Sequence, residues 1–95
     1  MRVVYKLEVL AESDDSVDLV GTTYFPPDSL NRDYFRPTDT HTVCSLKGVA
    51  SYYNVEVDGE VLTDAAWVYP DTKDGYGHIE GYVAFYTNNG VQLLN

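Results

Sequence analysis

Basic residues and cysteines are scarce in this chain. Six Lys or Arg stand against fifteen Asp or Glu among 95 residues, which gives a formal net charge of −9. A surface of that sign repels the phosphates of nucleic acids and the anionic headgroups of membranes, so we expect neither as a partner. A single cysteine excludes an internal disulfide and favours a cytoplasmic location, where thiols stay reduced.

Long hydrophobic runs and low-complexity segments are missing as well. No stretch reaches the roughly 20 apolar residues of a membrane-spanning helix. The first residues, MRVVYKLEVLAES, alternate charged and apolar side chains and do not resemble a signal peptide. Neither a repeat nor a linker divides the chain, so we expect one domain over residues 1–95, either a monomer or a homodimer.

Alternating apolar and polar residues instead predict β-strands. Such alternation covers residues 3–10 and 16–25, which we expect to pair as a hairpin, and residues 51–58 and 60–69, joined by Asp58-Gly59. That dipeptide suits a type I′ turn because both of its residues readily adopt positive φ. Residues 81–94 predict a last hairpin that turns at Asn89-Gly90.

The segment PPDSLNRDYFRP interrupts the strand pattern. Prolines do not fit a central strand, Asp28 suits a helix N-cap, and Leu30 and Tyr34 have the spacing of one helical face. We therefore expect one short helix that ends at Arg36-Pro37. The whole pattern predicts an all-β domain, either a small antiparallel barrel or strongly coiled β-sheets, with this single short helix.

Three motifs occur in order along the chain: YFPPDSLNRDYFRPTDTHTVCSLKGVASYYNVEVDGE, DAAWVYPD and IEGYVAFY. Together they resemble the domain of unknown function 427 family, sometimes labelled nucleotidyltransferase-like, from about Tyr24 to Tyr86. The resemblance implies a compact β-rich fold of the kind called β-tent, and it implies no known reaction. In many members a proline follows the motif cysteine, whereas Ser45 follows Cys44 here.

Positive side chains gather near the centre of the chain. Arg32, Arg36 and Lys47 lie within sixteen residues that also include His41. In an acidic protein such a group favours a hollow for a small carboxylate or phosphate. The alternative is that these cations only neutralise nearby aspartates on the surface. The leading prediction is a small-anion site lined by Arg36, His41, Lys47, Tyr52 and Trp67.

Tyr52 and Trp67 are included in this prediction because they are aromatic residues of alternating strands. Aromatic side chains in alternating strands mostly form the core, but the polar tips of tyrosine and tryptophan need partners when buried and often line a pocket. We therefore expect these two residues to form the wall of any pocket that the sheet contains.

An enzyme is the second interpretation of the same segment. His41 would act as a base beside Asp64 or Cys44, which makes these three residues the catalytic candidates. On an extended segment, side chains three residues apart point to opposite faces, so His41 and Cys44 meet only across a turn. An unpaired cysteine is also commonly just a small buried hydrophobe.

Known cofactor signatures are missing. Lys47-Gly48 lacks the preceding glycines of a phosphate-binding loop, so Gly48 more simply serves a bulge or a close backbone approach. Cys44, the two histidines and the carboxylates lack the paired-cysteine spacing of a structural zinc site. We therefore predict no metal and no cofactor. A third interpretation is a protein–protein interaction module that uses a strand edge or the tyrosine-rich surface.

Overall fold

The computed structural model describes residues 1–95 and consists of nine strands in three antiparallel sheets. The first sheet has the order β2-β1-β9, with β1 (Arg2–Tyr5), β2 (Glu8–Glu12) and β9 (Gln92–Leu94). The second consists of β3 (Val17–Leu19) and β4 (Thr22–Tyr24). The third follows chain order, with β5 (Phe35–Cys44), β6 (Gly48–Val57), β7 (Glu60–Val68) and β8 (Val83–Phe85). The all-β prediction is confirmed, and the sheets remain open rather than closing into a barrel.

The long strands of the third sheet are joined as the sequence predicts. Asp58 and Gly59 connect β6 to β7 with φ of 50° and 81°, the positive values that a type I′ turn requires. β6 begins earlier than predicted, at Gly48. Arg36 and Pro37, which were predicted to end a helix, lie instead in β5 at the edge of the sheet. Proline is tolerated on an edge strand because it has no N–H to donate to a neighbour.

Each of the two N-terminal alternating runs folds back on itself. Residues 3–10 bend at Lys6 and Leu7, where φ is 50° and 68°, so that β1 pairs with β2. Residues 16–25 bend at Val20 and Gly21, where φ is 50° and 81°, so that β3 pairs with β4. The predicted hairpin between the two runs is therefore wrong. The alternation continues through a two-residue turn, so the pattern alone did not reveal either bend.

The predicted helix consists of two short 3₁₀ turns, Pro27–Ser29 and Arg32–Tyr34. Asp28 lies inside the first turn rather than at its cap. Between the turns, the backbone at Leu30 forms a bridge to Ala11 of β2, which holds the chain extended and prevents a continuous helix. No helix in the structure is long and apolar enough to span a membrane.

The predicted C-terminal hairpin is also wrong. β8 pairs with β7, and β9 pairs with β1, so residues 86–91 cross from the third sheet to the first. Gly90 has φ of 95°, and a Cβ placed on it would lie 3.2 Å from the ring of Tyr5. The Asn89-Gly90 signal thus marks a crossing between sheets, because such a crossing needs the same left-handed backbone as a hairpin turn.

The core consists of two clusters of buried side chains. The larger cluster contains residues from both ends and the middle of the chain, among them Val3, Leu10, Phe25, Val55 and Val83. The smaller contains Tyr24, Ala50, Tyr52, Tyr69, Ile79 and Ala84. Fully burying one large apolar side chain stabilises the fold by about 1.5 to 3 kcal/mol. No charged or polar residue is buried, so apolar packing fixes how the sheets are arranged.

Candidate functional site

A cleft with a volume of about 360 Å³ is lined by residues of all three sheets. Val3 of β1 and Leu93 of β9 are register partners, and both line it. The β3–β4 hairpin contributes residues 21–23, and the third sheet contributes Trp67 and residues 85–88. This volume lies within the range of small-molecule pockets in proteins. The cleft is therefore the first candidate for a binding site.

Phe25 positions the β3–β4 hairpin beside the cleft. Directly after β4, it exchanges two backbone hydrogen bonds with Val83 of β8, each 2.8 Å long. Its buried ring meets the ring of Phe85 edge to face, with 6.0 Å between the ring centroids. This bridge attaches the hairpin to the end of the third sheet and brings its threonines to the cleft.

The aromatic wall of the cleft is formed by Trp67 and Tyr86. Their ring centroids are 4.6 Å apart, and the ring planes are tilted by 47°. The amide of Tyr86 donates to the carbonyl of Ala65 at 3.0 Å, which places Tyr86 just beyond β8 and beside β7. Trp67 is partly buried and Tyr86 is 42% exposed, so both rings remain accessible. Such surfaces offer a small ligand a large apolar contact.

The rim of the cleft is polar but uncharged. Its hydroxyl and amide groups belong to Thr22, Thr23, Thr87 and Asn88. Thr23 donates to the carboxylate of Asp18 at 2.7 Å, whereas the other three side chains have no hydrogen-bond partner within the protein. No charged residue lines the cleft. The cleft therefore offers hydrogen bonds to a ligand but no counter-ion to an anion.

Tyr52 and Thr42 form a hydroxyl pair in the third sheet, with 2.9 Å between their oxygens. The pKa of Tyr86 is raised by a side-chain interaction with Tyr52, then by burial and by the charges of Tyr52 and Asp64. Tyr86 therefore stays neutral. Tyr52 is buried and lies opposite Trp67 in the register of β6 and β7.

Asp64 occupies an irregular position in the middle of β7. Its φ is 50°, and the register between β6 and β7 shifts around it. The amide of Asp64 donates to Asn54 at 2.9 Å, and its carboxylate accepts from the hydroxyls of Thr38 at 2.9 Å and Thr40 at 2.8 Å. A left-handed aspartate is uncommon and persists where its surroundings hold it. These contacts direct the Asp64 carboxylate to β5.

Cys44 lies at the end of β5, and its thiol has a lowered pKa. The backbone amides of Lys47 and Leu46 lower the pKa of the thiol, and the charge of Lys47 and a hydrogen bond with Tyr69 act in the same direction. Burial raises the pKa of Tyr69 to about 12, so its phenol remains a donor. Donors of this kind favour a thiolate.

The catalytic candidates do not form a hydrogen-bonded set. His41 has Nδ1 3.2 Å from the hydroxyl of Ser51, and no hydrogen bond joins it to Cys44 or Asp64. His41 lines a separate hollow of about 440 Å³ together with Lys73. No three His, Cys, Asp or Glu side chains lie close enough to share a metal ion.

The five residues predicted to line an anion site lie in different places. Arg36 donates to two main-chain carbonyls at 3.1 and 2.9 Å, and the side chain of Lys47 has no hydrogen bond or ion pair. Neither Arg36 nor Lys47 lines a cavity, and His41 lines the separate hollow. The structure brings together only Tyr52 and Trp67, of which Trp67 lines the cleft.

A family model described as Domain of unknown function (DUF427) matches residues 1–93. The chain belongs to the DUF427 family. The nucleotidyltransferase-like label comes only from the name of that model and assigns no reaction. No curated protein matches the chain. The DUF427 match extends beyond residues 24–86, where the three motifs lie, to the strands that supply Val3 and Leu93 to the cleft.

Most of the residues that line this cleft were not predicted from the sequence. The motif AFYTNN places Tyr86, Thr87 and Asn88 directly after a strand, and loop residues in such positions commonly carry function, so a signal for them was present. Thr22 and Thr23 gave no comparable signal. They reach the cleft only because Phe25 bridges to β8, a contact between residues far apart in the chain.

Proposed function

We propose that this DUF427 domain binds a small neutral or cationic molecule in the cleft beside Trp67 and Tyr86. The supporting observation is the composition of the cleft, which combines aromatic surface with unpaired hydroxyl and amide groups and has no charged residue. Pockets of this kind bind through apolar burial and use a few polar groups to orient the ligand. An apolar part of the ligand contacts the two rings, and a polar part contacts Thr22 and Asn88.

Both the lining of the cleft and the net charge of the protein disfavour an anionic ligand. The small anion predicted from the sequence needs a cationic partner, and the cavity that has one is the hollow of His41 and Lys73. There the Lys73 ammonium already donates to the carbonyl of Ser45 at 3.1 Å. In a protein of formal charge −9, an anion that entered the neutral cleft would also meet an unfavourable field.

Trp67 provides the test because it is the only tryptophan in the chain and lines the cleft. Its fluorescence is followed while neutral heterocycles, ammonium compounds, and phosphates or carboxylates are added in turn. We expect a saturable change with a compound of the first two classes, together with a higher Tm, because a ligand that binds only the folded state stabilises it. A saturable response to anions alone would contradict the proposal.

A pair of arginine substitutions in β9 tests whether the ligand binds in the cleft. Leu93 lines the cleft and is 38% exposed, whereas its neighbour Leu94 is 42% exposed and does not line the cleft. Leu93→Arg should weaken binding of the best compound about ten-fold or more, a loss of at least about 1.4 kcal/mol, because the guanidinium fills and charges the cleft. Leu94→Arg should leave it unchanged. Equal effects of the two substitutions would place the ligand elsewhere.

A further inference from the structure

The geometry of the two wall rings suits one positive group. An ammonium is attracted to an aromatic face within about 6 Å of the ring centroid. The centroids of Trp67 and Tyr86 are 4.6 Å apart with their planes tilted by 47°, so the two rings pack against each other. Tyr86 is the more exposed of the two, and an ammonium over its free face lies within about 6 Å of its centroid. Tryptophan is the most favourable of the aromatic partners for a cation, and tyrosine also binds one. The cleft thus offers the face of Tyr86 to a cation, with Trp67 packed beside that ring.

The electrostatic surroundings add to this attraction. No Lys, Arg or His lines the cleft, so no fixed positive charge opposes a cation there. The formal charge of −9 concentrates cations around the molecule and speeds their encounter with it.

The absence of a carboxylate from the lining selects among cations. A primary ammonium has three strongly hydrated N–H donors, and the lining offers only neutral acceptors and no carboxylate in exchange for that hydration, which costs free energy. A fully methylated ammonium has no N–H to satisfy, and its methyl groups bury apolar area against the rings. The free hydroxyls of Thr22 and Thr87 and the amide of Asn88 can then bond a hydroxyl or carbonyl elsewhere on the ligand.

We infer that the cleft binds a small molecule with a methylated ammonium group, which lies over the ring of Tyr86 beside Trp67, and a short polar tail directed to the rim. This inference rests on the proposed function and names the class of ligand. The ring of Tyr86 is what contacts the ligand.

The decisive comparison is between choline and 3,3-dimethyl-1-butanol, which has the same shape but carries carbon in place of the charged nitrogen. Both are titrated against Trp67 fluorescence, with tetramethylammonium as a third compound that lacks the tail. We expect choline to bind about ten-fold more tightly than its neutral isostere, equivalent to about 1.4 kcal/mol. Tetramethylammonium should fall between the two, because it keeps the charge and loses the contacts of the tail.

Substitutions at Tyr86 test whether its ring causes the preference for choline over the neutral isostere. Tyr86→Phe keeps the ring and should keep the preference for choline, whereas Tyr86→Leu removes the ring and should reduce the preference several-fold. Tyr76→Leu, at a tyrosine that does not line the cleft, is the matched control and should behave like the parent protein. Thermal unfolding of each variant establishes that it is folded at the temperature of the titration.

The outcomes separate the inference from the function on which it rests. If the isostere binds as tightly as choline, or if neutral heterocycles bind and neither of these compounds does, the inference is overturned and the proposed function stands. If no neutral or cationic compound changes Trp67 fluorescence at millimolar concentration, both are overturned. A choline preference that survives Tyr86→Leu would also overturn the inference.

Discussion

Val20 has an unfavourable backbone conformation for its residue type. It is a β-branched residue with φ of 50°, followed by Gly21 with φ of 81°, and its side chain is 91% exposed. A β-branched side chain is strained in the left-handed region because its Cβ crowds the backbone. The apolar side chain gains nothing from burial at this position, so the hairpin keeps the strain without a compensating contact.

Val20→Asn should therefore stabilise the protein. Asn-Gly is the preferred pair for a type I′ turn, and the relief of strain should add about 1 kcal/mol to the free energy of unfolding. Urea denaturation followed by circular dichroism measures the change. Val43→Asn is the control, because Val43 is 80% exposed but lies in a strand, and it should give no gain. Equal gains at both positions would show that surface polarity, not backbone strain, is responsible.

Cys44 should react as a thiol with a lowered pKa. Hydrogen bonds from the amides of Lys47 and Leu46 stabilise the thiolate, so the group loses its proton at lower pH in the folded protein than in the unfolded chain. The rate of alkylation by iodoacetamide, measured against pH, should show a midpoint below that of the same protein in urea. A midpoint at or above the unfolded value would contradict the lowered pKa of this thiol.

At the scale of elements, β6 begins against the loop that follows β7. Gly48 is buried with φ of 125°, and a Cβ placed on it would lie 2.8 Å from the carbonyl oxygen of Asp71. A backbone bridge to Thr72 joins the two segments. The close approach predicted for Gly48 from the sequence is thus present, and it fixes the loop against the β5–β6 hairpin.

Gly48→Ala should be strongly destabilising. The added methyl group meets a backbone oxygen and takes a backbone conformation that suits glycine, so we expect a loss of about 2 kcal/mol or more and a fall in Tm of roughly 10 °C. Gly77→Ala is the control, since nothing lies within 4 Å of a Cβ at that position and its φ is not positive. Calorimetry of the two variants measures the difference, and a Tm for Gly48→Ala equal to that of Gly77→Ala would refute the packing argument.

Element types were more predictable than element pairing. The strands of residues 51–58 and 60–69 and their turn follow from local alternation and one Asp-Gly pair, and the structure has them. The partner of β9 is β1, at the opposite end of the chain, and no local pattern specifies that choice. The helix prediction failed for the same reason, because the bridge from Leu30 to Ala11 competes with helical hydrogen bonding.

The candidate site was less predictable than the fold because it is assembled from distant parts of the chain. Trp67 was predicted as a wall residue and lines the cleft, but its neighbours come from β1, β9, the β3–β4 hairpin and the loop after β8. Nearness in sequence suggested that Arg36, His41 and Lys47 converge. An extended strand separates such residues, since each step advances the chain by about 3.3 Å and alternates its face.

At the scale of the whole molecule, an acidic surface surrounds a neutral aromatic cleft. The formal charge of −9 acts over about one Debye length, roughly 8 Å at physiological ionic strength, and attracts cations from solution. The cleft then supplies short-range contacts that depend on ring faces and hydroxyl groups. Long-range attraction and local chemistry therefore favour the same class of ligand, whereas the cationic residues of the β5–β6 hairpin lie outside the cleft.

The most direct measurement is an amide and indole NMR titration with choline. The single indole N–H of Trp67 gives one resolved signal, and we expect saturable shifts of that signal together with those of the amides of Tyr86, Thr87 and Asn88. The amides of His41 and Lys73, in the separate hollow, should stay unchanged. Shifts centred on His41 and Lys73, with the Trp67 indole signal unmoved, would contradict the central claim that the aromatic cleft is the binding site.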